Sequence, residues 1–142
     1  MLYLALFVPA GSPPFARSIL DDPAIDRYVQ GWGAQSGDYG VIAHVDGAPR
    51  GAAWLRYFTA DSPGYGFVSE ATPELTVAVT KASRNHGIGA QLVAHLQERV
   101  PAISLSCDPA NQAWRLYRRA GFEPLPDGRT LVWSRVGSTR EG

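Results

Sequence analysis

The sequence predicts an α/β (α+β) fold in which one mixed, twisted central sheet of about seven strands is flanked by about four helices. The 142 residues, of which 45% are apolar, suit one domain built around one core. Hairpin signals occupy the first half of the chain, and strand and helix patterns alternate in the second half. Since hairpins join antiparallel strands and a strand–helix–strand crossover joins parallel ones, the predicted sheet is mixed.

The N-terminal segment predicts one strand followed by two short helices. Residues 3–8 are rich in β-forming side chains. Two cap signals, each followed by proline at the first helical position, start at Ser12 and Asp22 and predict helices that end near Leu20 and Gly33. The apolar opening lacks a basic leader and is too short to span a bilayer, so we expect a soluble, cytoplasmic protein without a membrane partner.

The middle of the chain predicts a hairpin and a long loop. Residues 39–45 and 51–58 have strand patterns and flank the turn signal Asp46-Gly47. Residues 59–73 contain two prolines and two glycines and show little periodicity. Because long loops in compact domains are often functional, this loop is a candidate for contact with a ligand.

The central element combines a strand, a glycine-rich loop and a helix. Residues 75–80 are apolar and β-branched and predict a buried strand. The polar sequence KASRNH follows, and Gly-Ile-Gly at residues 87–89 leads directly into a helical pattern that ends at Pro101. Free N–H groups and the helix dipole at such a junction suit a phosphate group, and glycines let the backbone approach it closely.

The C-terminal part predicts a further strand, a helix and a hairpin. The strand covers residues 102–107. Asp108 is expected to cap a helix that starts at Pro109 and runs to about Ala120, with Gly121 in the left-handed position that ends it. A last hairpin, residues 122–125 and 130–136, turns at Pro126-Asp127-Gly128. We therefore expect a single domain over residues 1–142, with a frayed polar tail from residue 137.

Composition excludes several classes of function. Thirteen basic and thirteen acidic residues give a formal net charge of zero, which argues against a large basic surface for nucleic acid. Cys107 is the only cysteine, so no intrachain disulfide forms, and its place at the end of a predicted buried strand argues against a catalytic thiol. We expect no metal site.

Two segments carry a family resemblance. Residues 84–89, RNHGIG, and residues 111–122, NQAWRLYRRAGF, resemble the two signature segments of the Gcn5-related N-acetyltransferase superfamily, in the same order and at a similar separation. The resemblance implies an N-acetyltransferase that moves an acetyl group from acetyl-CoA to an amine of a small molecule or protein, by direct attack in a ternary complex. It also implies the predicted fold. Dimers are common in this superfamily, so a homodimer is a candidate assembly.

The resemblance also implies a set of cofactor-binding residues. The loop would hold the pyrophosphate of acetyl-CoA through backbone N–H groups, and the preceding strand would hold the pantetheine arm where its neighbour splays away. His86 stands where relatives often carry Arg or Lys, and Asn85 where glycine is frequent. Asn111 would bind the cofactor arm or, alternatively, cap its own helix. The full set is Val77, Ala78, Val79, Arg84, Asn85, His86, Gly87, Ile88, Gly89, Ala90, Asn111 and Tyr117.

Two residues are candidates for proton transfer. Tyr117 would give a proton to the departing thiolate, since a phenol is protonated at neutral pH; the alternative is a core tyrosine. Glu74, at the start of the central strand, would take a proton from the amine through water, as an acidic residue at this end of the strand often does in relatives. The alternative is an exposed strand-end carboxylate, and Glu70 or a water chain is the competing base. The acceptor site would include Tyr28, Trp32, Tyr65 and Phe67, each of which has core packing or loop anchoring as its alternative role.

Two other functions fit parts of the pattern. A non-catalytic acyl-CoA sensor on the same fold needs the loop but not Tyr117 or a base. A Rossmann-type nucleotide-binding protein needs an acidic residue on the next strand, about twenty residues after the loop. Residues 102–107 contain no acid, which argues against that reading.

Overall fold

The computed structural model of the chain describes Ile25, Tyr28 and residues 37–84 and 86–135. Ile25 is helical and buried, in agreement with the predicted second helix. The predicted first strand, the first helix, Trp32, Asn85 and the tail lie outside the described residues.

The described residues form one mixed sheet with two α-helices. The strand order is β1-β2-β3-β4-β6-β5, and β3–β4 is the parallel pair, while the other neighbours are antiparallel. Helix α1 joins β3 to β4, so the predicted crossover and the mixed sheet are confirmed. The elements are β1 Tyr39–Val45, β2 Ala48–Arg56, β3 Glu74–Val79, a 3₁₀ turn Lys81–Ser83, α1 Ile88–Gln97, β4 Ala102–Ser106, α2 Ala113–Arg119, β5 Glu123–Pro124 and β6 Thr130–Ser134.

The first hairpin closes through the predicted turn. Asp46 and Gly47 have φ angles of 53° and 79°, the pair of positive values that a two-residue type I′ hairpin turn requires. Strand β2 begins before the predicted start at Gly51 and ends at Arg56, because the chain leaves the sheet there and carries the buried Phe58 into the long loop.

The core lies between the sheet and the two helices. Helix α1 buries Leu92, Val93 and Leu96, the face that its periodicity predicted. The same core continues to α2, which contributes Tyr117. Other members come from the strands and from the end of α2; they are Ala53, Leu55, Leu75, Ile103, Leu105, Cys107, Phe122 and Leu131.

Helix α2 begins later than predicted and ends as predicted. Asp108 does not cap it: its Oδ1 accepts the Ala110 N–H (2.9 Å) and its carbonyl accepts the Asn111 N–H (2.8 Å), so residues 108–111 form a separate turn. At the other end the Phe122 and Gly121 N–H groups donate to the carbonyls of Tyr117 and Arg118, at 3.0 and 3.1 Å. This is a Schellman motif, and Gly121 has the left-handed φ of 100° that it needs.

A buried ion pair ties the start of β1 to the end of β2. The Arg56 guanidinium donates from Nε to Asp38 Oδ1 (3.0 Å) and from Nη2 to Oδ2 (2.7 Å). Both side chains are almost completely buried, at 1% and 2% exposure. The exposed counterpart is the single contact of 3.2 Å between Arg129 and Asp108. Arg56 also lies directly opposite Glu74 in the β2–β3 register.

Replacing the arginine with glutamine should lower the free energy of unfolding more in the buried pair than in the exposed pair. Arg56→Gln removes the positive charge that faces the buried Asp38 carboxylate and should lower the free energy of unfolding by about 3–5 kcal/mol. Arg129→Gln, the matched control, should cost at most about 1 kcal/mol. Urea unfolding of both variants measures the difference. Equal losses would show that burial does not set the strength of the Asp38–Arg56 pair.

Candidate active site

The site begins where β3 and β4 separate. The two strands pair at one position, Glu74 with Ser104, and the Ser104 N–H donates to the Pro73 carbonyl (3.0 Å). No further pair follows within the described residues. The predicted separation of the two strands is therefore present, and a gap opens from Ser104 toward the C-terminal end of β3.

The backbone of β3 presents alternate residues to this gap. The Thr80 N–H donates to the Arg50 carbonyl (2.7 Å), which marks the even-numbered residues of β3 as those bonded to β2. The N–H and C=O groups of Val77 and Val79 must therefore point the other way, into the gap. Ala78 differs from the prediction, because its backbone faces β2. Val77 and Val79 are left as the backbone contacts for an extended ligand.

Arg84 lies at the far end of the gap. Its Nε donates to the Val79 carbonyl (3.1 Å), and the side chain is exposed. This contact satisfies a carbonyl that a neighbouring strand would otherwise bind. The contact holds Arg84 at the end of β3, next to the loop that leads into α1, where the sequence predicted a phosphate.

The N-terminus of α1 is left uncapped. Gly87 is the N-cap with φ 80°, and the first helical hydrogen bond runs from the Gln91 N–H to the Gly87 carbonyl (3.2 Å). No side chain caps the helix, and its first turn has no acidic residue. The N–H groups of Ile88, Gly89 and Ala90 therefore have no partner within the helix, which is the arrangement that binds anions.

The two glycines of the loop serve different needs. A Cβ on Gly87 would meet no atom within 4 Å, so this position is open to a ligand and its positive φ favours glycine. A Cβ on Gly89 would lie 2.9 Å from Leu116 Cδ1. A side chain at Gly89 would therefore press on the end of the Leu116 side chain of α2, a contact that the sequence motif alone did not predict.

A cavity of about 420 Å³ adjoins the loop on the side of the first hairpin. Its size is within the range of small-molecule sites. His86, which is exposed, and Arg50 give it two basic residues, and sequence analysis had not singled out Arg50. The lining residues are Val45, Arg50, Ser83, His86 and Ile88.

Tyr117 lies on the core face of the sheet, beside the end of β4. It is 9% exposed and meets Phe122 edge to face, with ring centroids 5.8 Å apart. Burial, followed by the proximity of Cys107, raises the pKa of Tyr117 well above its usual value, so the hydroxyl keeps its proton at neutral pH. No described residue hydrogen-bonds to this hydroxyl, which leaves its proton available to a ligand.

Cys107 behaves as a buried neutral thiol. Burial, and then the nearby Asp108, raises its pKa to about 11, and its Sγ is 3.5 Å from the Asp108 carbonyl. A nucleophilic cysteine needs a lowered pKa, so these surroundings agree with a packing role.

One of the two polar groups of the Asn111 side chain, the amide oxygen, forms a local hydrogen bond. Asn111 Oδ1 accepts the Ala113 N–H (2.9 Å) at the start of α2. The local capping alternative is therefore present. The amide nitrogen has no hydrogen-bond partner among the described residues and is free to donate to a cofactor.

Glu74 is buried, and the alternative of an exposed strand-end carboxylate is wrong. Its side chain is 1% exposed. Oε1 accepts hydrogen bonds from the Tyr28 hydroxyl (3.0 Å) and the Gly66 N–H (3.1 Å). Gly64 packs against the carboxylate so closely that a Cβ there would collide with it. Glu70, the competing base, is exposed and braces the loop by accepting the Ala60 N–H (3.0 Å).

Aromatic side chains surround the buried carboxylate. The Tyr28 ring meets Phe58 edge to face at 5.1 Å and stacks on Tyr65 at 6.4 Å. The Tyr65 N–H donates to the Tyr28 hydroxyl (2.7 Å), and Trp54 Nε1 donates to the Tyr28 carbonyl (3.1 Å). Burial and then the Glu74 charge raise the pKa of Tyr28 far above its usual value.

The structure thus brings three of the predicted acceptor-side residues together. Tyr28 contacts both Glu74 and Tyr65, whereas Phe67 is half-buried and its N–H bonds to the Gly64 carbonyl (3.3 Å). Trp32 is not among the residues described. Sequence reasoning missed the residues that contact Tyr28 and Glu74, which are Trp54, Phe58, Gly64 and Gly66. A signal for one of them was present: Trp54 and Arg56 alternate along β2, so both side chains lie on the same face of the sheet as Glu74.

The gap in the sheet connects two chemically different faces. Leu75 belongs to the same core as Tyr117, so the adjacent Glu74 points to the opposite face. From Glu74 to Val79 the strand rises by about 16 Å. A ligand that runs along this gap would have its phosphate end at α1 and its reactive end between Tyr117 on one face and Tyr28 with Glu74 on the other.

No helix within the described residues is long and apolar enough to cross a membrane. In the same part of the chain, no group of three His, Cys, Asp or Glu residues is arranged to hold a metal ion.

Comparisons with known proteins agree with this geometry. Among solved structures, the aminoglycoside acetyltransferase AAC(6')-Ib in complex with coenzyme A is 28% identical, with a TM-score of 0.57 over 82% of this chain and 78% of that one. The GNAT domain of PAT from S. lividans is 17% identical, with a TM-score of 0.61 over 93% and 75%. Ribosomal-protein-alanine N-acetyltransferase from Brucella melitensis is 22% identical, with a TM-score of 0.55 over 86% and 80%. A search of curated protein sequences gave no significant match.

The family model described as the acetyltransferase (GNAT) domain matches residues 36–124, more than half of the chain. This range contains the gap between β3 and β4, the uncapped start of α1 and Tyr117. The chain belongs to the GNAT acetyltransferase family.

Proposed function

We propose that this chain acetylates the amine of a small, cationic molecule, with acetyl-CoA as donor and direct attack of the amine on the thioester. The observation that carries the proposal is the gap between β3 and β4. It exposes the backbone of Val77 and the N–H of Val79, whose carbonyl accepts from Arg84, and it leads to the uncapped N-terminus of α1. A thioester with a phosphate-bearing tail fits these two features together.

The cofactor would be held mainly by backbone groups. The N–H groups from Gly87 to Ala90 receive the pyrophosphate, Arg84 adds positive charge, and the amide nitrogen of Asn111 donates to the pantetheine arm. A backbone N–H of Val77 or Val79 polarises the thioester carbonyl, because these groups face the gap.

Tyr117 would stabilise the departing thiolate. Its raised pKa keeps the hydroxyl protonated, but it also makes complete transfer of the proton less favourable. The hydroxyl therefore acts first as a hydrogen-bond donor to the developing negative charge on sulfur, and the proton lost by the amine completes the thiol.

The acceptor side is acidic and aromatic. Between Arg56 and Lys81 the chain has no Lys or Arg, while it has Asp61, Glu70 and Glu74. Negative charge and exposed aromatic faces, such as Tyr65 at 61% exposure, attract an ammonium group. The AAC(6')-Ib structure in complex with ribostamycin and coenzyme A, 27% identical with a TM-score of 0.58, supports a small-molecule acceptor.

The direct test is turnover of acetyl-CoA by the purified chain with a panel of small amines, including aminoglycosides, and with peptides that present an N-terminal amine. We expect thiol release and acetylated product with small cationic amines. Exclusive activity on peptides would reject the small-molecule proposal, and absence of any transfer would reject the enzyme assignment. A cytoplasmic location and a homodimer stay predictions.

The first prediction concerns cofactor binding. Gly87→Glu places a carboxylate at the open, uncapped start of α1 and should weaken acetyl-CoA binding at least about tenfold, a loss of about 1.4 kcal/mol. Gly128→Glu is the matched control, because Gly128 also has positive φ (75°) and no atom within 4 Å of a Cβ. Calorimetry measures both affinities. Equal acetyl-CoA affinities in the two folded variants would show that this loop does not bind the pyrophosphate.

The second prediction concerns Tyr117. Tyr117→Phe keeps the packing against Phe122 and removes the donor, so kcat should fall by about 10²-fold while acetyl-CoA affinity stays near that of the unsubstituted chain. The raised pKa keeps Tyr117 protonated, so ionisation of Tyr117 should cause no fall in kcat as the pH rises from neutrality to the usual tyrosine pKa of about 10. An unchanged kcat, measured where chemistry limits the rate, would leave Tyr117 as a core residue only.

The third prediction concerns Glu74. Glu74→Gln can still accept the bonds from Tyr28 and Gly66 but cannot take a proton, so kcat/KM at neutral pH should fall by about 10²-fold. Activity should return in part at high pH, where the amine arrives neutral. Glu70→Gln is the control and should lose only the brace to Ala60. A defect confined to the control would move the base to Glu70.

A further inference from the structure

The Glu74 carboxylate is covered on the acceptor side. The Gly66 N–H bonds to Oε1, Gly64 packs against both oxygens, and the side chain is 1% exposed. Gly66 itself is pressed onto β4, since a Cβ there would lie 2.5 Å from the Leu105 carbonyl carbon. An acceptor amine therefore meets the surface of this cover rather than the carboxylate.

One hydroxyl connects the carboxylate to that surface. Tyr28 donates to Glu74 Oε1 (3.0 Å) and accepts the Tyr65 N–H (2.7 Å). A phenol oxygen has one proton and two acceptor positions, so one acceptor position of Tyr28 is left. Tyr28 is only half-buried and lies beneath the exposed Tyr65 ring, whereas Glu74 is enclosed.

We propose that Tyr28 is a catalytic proton relay between the acceptor amine and Glu74; this inference rests on the proposed acetyl transfer. An ammonium N–H proton moves to the Tyr28 oxygen while the Tyr28 proton moves to Glu74 Oε1. The phenol is regenerated, and Glu74 becomes a neutral acid. The neutral amine then forms the C–N bond, the C–S bond breaks with its electron pair on sulfur, and the second amine proton goes to that sulfur.

The surroundings favour a coupled transfer over a stepwise one. Burial and the Glu74 charge make a free Tyr28 phenolate costly, so both protons shift together. Among the described residues, the titratable groups that contact Tyr28 are Glu74 and Tyr65 on the loop; Arg56, with Asp38 as its ion partner, lies opposite Glu74 on β2. Taking a proton from an ammonium onto a carboxylate also removes two opposite charges from a poorly solvated site, which lowers their desolvation cost.

Two Tyr→Phe variants separate the relay from simple packing. Tyr28→Phe removes the hydroxyl that bridges Glu74 and the loop, and kcat/KM for an alkylamine at neutral pH should fall by about 10²-fold. Tyr39→Phe is the matched control: it removes a phenol hydroxyl at the start of β1, which β2 separates from Glu74 on β3, so activity should stay within about twofold. Acetyl-CoA affinity should be unchanged in both variants.

A double-mutant cycle tests whether Tyr28 acts through Glu74. If the two residues form one relay, Tyr28→Phe combined with Glu74→Gln should be no more than about threefold worse than either variant alone. Losses that multiply would show two independent roles and overturn the relay.

A neutral acceptor separates proton relay from positioning of the loop. Tyr28→Phe also removes the acceptor for the Tyr65 N–H, so amide exchange in residues 59–73 should become faster. An amine that is already neutral at the assay pH should nevertheless restore most of the activity of Tyr28→Phe, because it needs no deprotonation before attack. If the defect is equal for neutral and protonated amines, Tyr28 only positions the loop and the relay is wrong.

Assays of Tyr28→Phe and of the unsubstituted chain test the relay and the acetyl transfer separately. Normal activity of Tyr28→Phe in a chain that transfers acetyl groups would overturn the relay and leave the proposed function intact. Absence of transfer by the unsubstituted chain would overturn both.

Discussion

The site depends on a parallel strand pair that is held at one position. Glu74 and Ser104 fix the start of β3 against β4, and the strands then diverge. Each strand keeps a full antiparallel partner on its other side, β2 for β3 and β6 for β4. The sheet therefore tolerates a gap between β3 and β4, where the facing backbone N–H and C=O groups of the two strands do not pair with each other. A bound cofactor arm would restore part of that hydrogen bonding.

The two halves of the sheet are held together on the core face. Helix α1 packs over β1–β3, and Gly89 lets it approach Leu116 of α2. The Schellman motif at the end of α2 then brings Phe122 back against Tyr117. The shared core and the approach of Gly89 to Leu116 therefore join the two halves of the sheet beyond the single strand pair. They also fix Tyr117 beside the gap, so the same contacts stabilise the fold and position the candidate acid.

Opposite electrostatic conditions lie at the two ends of β3. At its C-terminal end, uncapped N–H groups and Arg84 favour phosphate. At its N-terminal end, the Glu74 carboxylate lies under a loop without basic residues, which favours an ammonium group. Such a carboxylate is expensive to bury, and bonds from Tyr28 and Gly66 offset part of that cost. Reversed binding of donor and acceptor would place like charges together at both ends.

Local sequence determined the order of the described elements, the mixed sheet and the glycine-rich junction between β3 and α1. Periodicity and turn chemistry act over a few residues, so the type I′ turn at Asp46-Gly47, the buried face of α1 and the left-handed Gly121 could all be read directly. The motif spacing also placed Tyr117 on its helix. The start of α2 was misplaced because Asp108 has two local options, a cap or a separate turn, with similar energies.

Only the tertiary structure decided that Glu74 is buried and which groups hydrogen-bond to it. Glu74 and Tyr28 are 46 positions apart, and Gly66 contacts β4 through the loop, so no local pattern reports that these groups meet. Sequence reasoning therefore left Glu74 as either a base or an exposed strand end, whereas packing encloses it and assigns its hydrogen bonds. The physical reason is that periodicity records which face of one element is buried, while the partners of a buried polar group are chosen by the elements that pack over it.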